Sequence, residues 1–314
     1  GLVGSEMCIR DSLHRRFPAN VKLSGSIVAL VTPMTESGAI DYAALARLID
    51  FHVDKGTDGL VIAGTTGESA TLTREEHMDL VPQSVRLAAG RIGVIAGTGS
   101  NSTAQTVDLS RAVQDIGGVD GCLVVTPYYN KPTQEGLYRH YVAIAAAIDL
   151  PVILYNVSGR TGCDMLPETV ERLSGIDNIV AIKEASSSAA RCRELIECCP
   201  PDFVVLSGDD PTVLEFIELG ARGVISVSAN VAPGRMQRMC ELALCGKTAE
   251  AREIDAALAP LHQGMFVESN PIPAKWALYR MGMIASGIRL PLTELSSAGQ
   301  AQLEPVLREL GLVS

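Results

Sequence analysis

Eight short apolar runs, at residues 27–31, 59–62, 92–96, 121–125, 151–155, 179–183, 203–206 and 223–227, alternate with longer segments whose apolar residues recur every three or four positions. In the first of those segments Leu45, Leu48, Ile49 and Val53 mark one helical face. Runs of about five apolar residues suit strands buried on both faces, and each connection has room for one helix. Repeated β-then-α units with short connections favour a parallel sheet, and eight of them favour closure into a (β/α)₈ TIM barrel over an open doubly wound sheet. The open sheet is further disfavoured because Gly64-Thr-Thr-Gly67 follows the second run instead of the first, and no G-x-G-x-x-G fingerprint occurs. Thr73 with Glu76, and Ser102 with Gln105, read as capping boxes that start two of the helices.

After the eighth run come helical patterns at 235–245, 249–266, 272–283 and 296–310, more helix than one barrel unit needs. The expectation is a barrel over residues 24–245 and a small C-terminal helical domain over 246–314, divided at the turn Gly246-Lys247. Residues 1–23 are charged throughout and lack the apolar core of a signal peptide, so they read as a leader, disordered or foreign to the natural start.

Charge and cysteine usage narrow the function classes. With 26 Lys+Arg against 36 Asp+Glu, a formal net charge of −10 and no basic cluster beyond residues 10–22, nucleic acid is not the expected partner. No stretch of about eighteen apolar residues predicts a membrane span. The 8 cysteines include no C-x-x-C, and they read as buried thiols of a reducing compartment, the cytoplasm. His14, His52, His77, His140 and His262 are scattered, so a metal site is not expected.

In a barrel of this kind catalytic groups collect at the C-terminal ends of the strands. The sixth run, Val180-Ala-Ile-Lys-Glu184, closes on a lysine. An ammonium drawn out of water loses hydration, and desolvation can lower a lysine pKa by roughly 3–5 units, leaving an amine that attacks carbonyls and forms a Schiff base. The alternative is a strand-end lysine that snorkels to solvent. Other strand ends supply Gly64-Thr65-Thr66-Gly67-Glu68, whose backbone N–H groups and hydroxyls suit a small carboxylate, and Pro127-Tyr128-Tyr129-Asn130. Tyr155 ends the fifth run as either a catalytic hydroxyl or a core tyrosine, and Arg160 follows as either a solvated charge or a carboxylate clamp.

Taken in order, Gly64-Thr-Thr-Gly-Glu-Ser69, Thr126-Pro-Tyr-Tyr-Asn-Lys-Pro132, Gln134-Glu-Gly-Leu-Tyr138, Leu154-Tyr-Asn156, Arg160-Thr-Gly-Cys-Asp164, Ile182-Lys-Glu184, Leu206-Ser-Gly-Asp-Asp210, Gly223-Val-Ile-Ser-Val227 and Asn270-Pro-Ile-Pro273 resemble the motifs of the dihydrodipicolinate synthase family. The match runs from about Ser24 to about Leu312, within the wider pyruvate-dependent Schiff-base aldolase/lyase superfamily. It implies condensation of pyruvate with L-aspartate 4-semialdehyde in lysine and diaminopimelate biosynthesis, without a cofactor. By resemblance Lys183 is the Schiff-base lysine, Tyr155 the proton donor and acceptor, and Thr65 and Tyr129 its relay partners. Thr66 and the main chain at Ile225 match pyruvate-binding positions, and Arg160 matches the arginine that receives the second substrate's carboxylate. The family pattern also implies a homotetramer in which Tyr129 crosses a tight dimer interface.

A feedback site for L-lysine would fall on Ser69, Ala70, Arg74, His77, Asn101, Gln105 and Tyr128. Lysine-sensitive relatives have glutamate at the position of Gln105 and often histidine at that of Arg74, so weak sensitivity or none is expected here. Ser158-Gly159 stands where the family commonly has Pro-Ser, which predicts a more mobile loop around Arg160. Two rival readings share part of this pattern. Another pyruvate aldolase, such as N-acetylneuraminate lyase or a 2-keto-3-deoxy-sugar acid aldolase, has the same lysine, tyrosine and turn; a non-catalytic keto-acid sensor needs only the turn.

Overall fold

The computed structural model describes residues 23–314, so the expected leader lies, apart from Leu23, outside the described residues. Strands β1 (Gly25–Ala29), β2 (Gly59–Ile62), β3 (Gly93–Gly97), β4 (Gly121–Val125), β5 (Val152–Asn156), β6 (Ile179–Glu184), β7 (Val204–Ser207) and β8 (Gly223–Ser226) pair in sequence order, all parallel, and β8 returns to β1. This closed barrel is the expected (β/α)₈ fold. Around it run α1 (Tyr42–Asp54), α2 (Arg74–Ala88), α3 (Thr103–Ile116), α4 (Gln134–Ala145), the single turn α5 (Ser158–Thr161), α6 (Pro167–Ser174), α7 (Ala189–Cys198), α8 (Val213–Glu218) and α9 (Pro233–Leu244). Then follow α10 (Thr248–Gly264), α11 (Ile272–Arg280) and α12 (Ser297–Glu309).

Strand alternation divides the core in two. Ile27, Val61, Ile95, Leu123, Ile153, Ala181, Leu206 and Ile225 fill the barrel interior. Their neighbours Val28, Leu60, Val94, Val124, Leu154, Ile182, Val205 and Val224 meet the apolar faces of the helices, for example Leu45 and Leu48 of α1 and Leu173 of α6. Burial on both faces is why each strand reads as an unbroken apolar run. Helices α10 to α12 add Leu258, Leu261, Leu278, Leu303 and Leu307 to that outer layer, so their apolar surface is continuous with the helical ring.

The Thr73 capping box is complete: Glu76 N–H donates to Thr73 Oγ1 (3.2 Å) and Thr73 N–H to Glu76 Oε2 (2.9 Å). The one expected at Ser102 is only half formed. Ser102 Oγ accepts from Gln105 N–H at 3.4 Å, but Gln105 Oε1 instead takes the Ser100 hydroxyl at 3.0 Å. A nearer hydroxyl donor in the preceding loop competes successfully for the amide oxygen.

Candidate active site

Lys183 lies on β6 in register with Tyr155 of β5 and Leu206 of β7, two residues beyond the inward-facing Ala181. It is 5% exposed and its Nζ stands 4.3 Å from the centre of the Tyr155 ring, which settles the choice between a snorkelling and a buried amine. Gly208 gives the stem its room, since a Cβ there would come within 2.7 Å of Ala185 Cβ and 3.0 Å of Lys183 Cε. Gly208 was visible only as part of the motif Leu206-Ser-Gly-Asp-Asp210; its necessity appears only when β6 and β7 are adjacent.

The turn after β2 is tied at several points. Glu68 N–H donates to Thr65 carbonyl (3.1 Å), Ser69 N–H to Gly64 carbonyl (3.2 Å), and Thr32 Oγ1 to Gly67 carbonyl (2.7 Å). Ala63 and Glu68 flank it at φ +53° and +57°, left-handed conformations that non-glycine residues hold only under tertiary constraint. Thr65 is half-buried, whereas Thr66 is buried with Oγ1 accepting from Asn270 Nδ2 at 2.9 Å. Ile225 is buried on β8 opposite Ile27 of β1.

Arg160 sits in α5, closed by Arg160 and Thr161 N–H donating to Val157 carbonyl and by Gly162 N–H donating to Ser158 carbonyl. Its Nη2 donates to the Asn270 carbonyl at 3.1 Å. The expected loosening from Ser158-Gly159 is therefore offset: the segment is a helical turn, and its arginine is tied to the main chain of another element. Asn270 was visible only as part of a motif, yet it is the residue that joins Thr66 to Arg160.

Behind the two strand ends lies a polar network that runs from buried Asn156 and Glu184 to partly exposed Asp164 and Arg191. Asn156 Nδ2 donates to Asp164 Oδ1 (2.8 Å) and Glu184 Oε2 (3.1 Å), Asn156 Oδ1 accepts from Met165 N–H (3.0 Å), and Arg191 grips both Asp164 oxygens at 3.1 and 2.9 Å. Burial pushes the Glu184 carboxyl above its usual range, against the pull of Asn156 and Ser186; the Arg191 hydrogen bonds hold Asp164 below it. Asn156 and Glu184 directly follow Tyr155 and Lys183, so the network fixes the strands that present them.

Tyr129 does not join this group within one chain. Its side chain is 88% exposed, and Asn130 N–H donating to Tyr128 carbonyl (2.9 Å) closes a γ-turn around Tyr129 at φ +75°, the rarer and strained hand. The expected relay of Thr65, Tyr155 and Tyr129 is thus incomplete in the single chain.

The residues expected to hold L-lysine gather around α2 and α3. Ser69 and Ala70 lie in a 3₁₀ turn, Arg74 opens α2, Gln105 is exposed on α3, Asn101 precedes α3, and Tyr128 is exposed nearby. Buried His77 donates from Nε2 to the Gly97 carbonyl at 2.8 Å, and burial lowers its pKa, so the ring is neutral at pH 7. Arg74 is not a bare cation: Asp108, one turn beyond Gln105, pairs with it at 2.7 Å. Among the described residues no three His, Cys, Asp or Glu side chains are grouped to hold a metal ion, and no helix is long and apolar enough to cross a membrane.

The sequence model of the dihydrodipicolinate synthetase family matches residues 22–310. The chain is 56% identical to 4-hydroxy-tetrahydrodipicolinate synthase of Alcanivorax borkumensis over 292 residues, 93% of this chain and 99% of that protein. The fold is similar to that of chloride-inhibited dihydrodipicolinate synthase from Acinetobacter baumannii complexed with pyruvate (TM-score 0.91, 48% identity, 93% of this chain and 100% of that one). It is also similar to the Cyanidioschyzon merolae enzyme with lysine bound (TM-score 0.89, 40% identity, 92% and 99% covered). With a buried lysine beside a tyrosine at the mouth of an eight-stranded barrel and a family match along nearly its whole described length, the chain belongs to the dihydrodipicolinate synthetase family.

Proposed function

We propose that this chain condenses pyruvate with L-aspartate 4-semialdehyde to 4-hydroxy-tetrahydrodipicolinate, a step of lysine and diaminopimelate biosynthesis. The observation that carries the reading is the Lys183 amine, buried against the Tyr155 ring at the same barrel mouth as the Gly64–Gly67 turn. In this reading the amine adds to the pyruvate keto carbon and water leaves. The protonated imine draws electrons from the neighbouring methyl group, which loses a proton to give an enamine. The enamine carbon attacks the aldehyde, whose oxygen takes up a proton; the substrate's own amine then attacks the imine carbon, closes the ring and releases Lys183.

Tyr155 is the proton carrier, with Thr65 and a Tyr129 from a second chain as its partners. Thr66 and the main chain at Ile225 hold the pyruvate carboxylate, and Arg160 receives the carboxylate of the semialdehyde. Because Tyr129 projects from its own chain on a strained, well-defined turn, we propose a tight dimer within a homotetramer. L-Lysine is the candidate effector at the α2–α3 cluster, following the lysine-bound relative. The buried free cysteines suit a reducing compartment, and the cytoplasm is the one we propose.

Identity to a named synthase along nearly its full length favours this reading over N-acetylneuraminate lyase or a sugar-acid aldolase, and a keto-acid sensor has no use for a buried amine. Borohydride reduction in the presence of pyruvate tests the first half. Mass spectrometry is expected to find the reduced pyruvate adduct on Lys183 and none in Lys183→Ala; an unmodified wild-type lysine overturns the Schiff-base reading. Activity with pyruvate against a panel of aldehydes separates the synthase from its rivals.

A further inference from the structure

We infer that the buried ion pair between Glu68 and Lys275 is a positioning device, through which α11 sets the Gly64–Glu68 turn and so the affinity for the keto acid. The inference rests on reading that turn as the seat of the pyruvate carboxylate. Side-chain exposure is 1% for Glu68 and 4% for Lys275, and Lys275 Nζ donates to Glu68 Oε1. The other carboxylate oxygen accepts the Arg289 N–H at 3.2 Å. Burial pulls the Lys275 pKa below the usual lysine range, opposed chiefly by the Glu68 charge.

A buried ion pair is a poor source of stability, because desolvation consumes most of what the attraction returns; well-packed apolar residues do as well. What the pair supplies is direction. Glu68 is the last residue of the turn, held at φ +57°, and its own N–H donates to the Thr65 carbonyl. Five residues before Lys275 in the same short segment, the cis Asn270-Pro271 bond begins, and Asn270 grips Thr66 Oγ1. The segment 270–275 therefore holds the turn at both Thr66 and Glu68. A shift of α11 thus moves Thr66, the threonine assigned to the pyruvate carboxylate. Arg289 extends the brace: besides its N–H to Glu68, its guanidinium donates to the Thr71 carbonyl at 2.7 Å and pairs with Glu76 of α2. Glu68 and Lys275 are buried and paired to each other, so they act through Thr66 and are positioning residues.

The test is the double variant Glu68→Gln/Lys275→Met, which removes both charges at nearly constant volume, with the conservative variant Lys275→Arg beside it. Each single neutral variant strands an uncompensated buried charge and serves as a stability control. The folded double variant is expected to raise the pyruvate KM about tenfold or more, while kcat at saturating pyruvate and the semialdehyde KM stay within about threefold, the pattern of lost ground-state placement of one substrate. A double variant with wild-type thermal stability and an unchanged pyruvate KM overturns the inference, as does an equal rise in both KM values. If the double variant does not fold, Lys275→Arg decides: it keeps the charge but not the reach, so a raised pyruvate KM supports positioning and an unchanged one overturns it. Borohydride trapping on the wild type, run in parallel, separates this from the functional reading, because a missing wild-type adduct fails the latter alone.

Discussion

Lys183 shows how a single residue becomes a candidate for chemistry when its neighbours make a purely structural role costly. A cation inside a strand of valine, alanine and isoleucine costs hydration, and alternation from Ala181 sends it into the barrel beside Tyr155. Arg160 is the complementary case, an exposed residue whose placement depends on the Asn270 carbonyl. Arg160→Ala is expected to raise the semialdehyde KM roughly tenfold, the lower end for a charge-assisted contact because an exposed guanidinium is screened. Pyruvate trapping on Lys183 should persist. Steady-state rates with each substrate varied in turn check this, and an equal loss for both substrates would show that Arg160 serves the first half-reaction instead.

Among the elements, the α2–α3 pair is the proposed seat of any response to L-lysine. Gln105 offers a neutral amide whose oxygen already takes the Ser100 hydroxyl, and Arg74 is compensated by Asp108 in an exposed pair. The cluster therefore lacks a free carboxylate at Gln105 for a ligand ammonium, while Asp108 is occupied. A charge-assisted hydrogen bond contributes about 1–2 kcal/mol more than a neutral one, so inhibition by lysine is expected to be weak or absent below millimolar concentration. Gln105→Glu should introduce or strengthen it. Initial rates at saturating pyruvate across a lysine series provide the measurement; sub-millimolar inhibition of the wild type would mean that Asp108 turns from Arg74 to the ligand.

The whole molecule raises the question of what one chain cannot do alone. Tyr129 is exposed on a strained turn, so the catalytic part proposed for it is one played in a neighbouring chain. Tyr129→Phe and Lys183→Ala are each expected to lose nearly all activity. Hetero-oligomers formed by co-expressing the two with different tags should regain a measurable fraction, because one mixed site then receives an intact lysine and an intact tyrosine. Purified hetero-oligomers with no recovery would place Tyr129 in its own site or outside catalysis. Sedimentation of the wild type is expected to report a tetramer.

The sequence by itself determined the eight strands and most of the helices and marked Lys183 as a candidate, because each of these is written in local order. Two-sided burial makes strands continuous apolar runs, a 3.6-residue period makes helical stripes, and a threonine three residues before a glutamate closes a cap. It also misled where a local rule had a competitor, as when Gln105 turned to Ser100 and left the second capping box half formed. Only the tertiary structure decided that Asn270 joins Thr66 to Arg160, that Lys275 pairs with Glu68, and that Gly208 makes room for Lys183. Thr66 and Asn270 are 204 positions apart, and Glu68 and Lys275 are 207 apart. No periodicity or capping rule reaches across such separations; the partners meet because the fold brings the turn after β2 and the segment opening α11 to one place, where burial favours pairing of Thr66 with Asn270 and of Glu68 with Lys275.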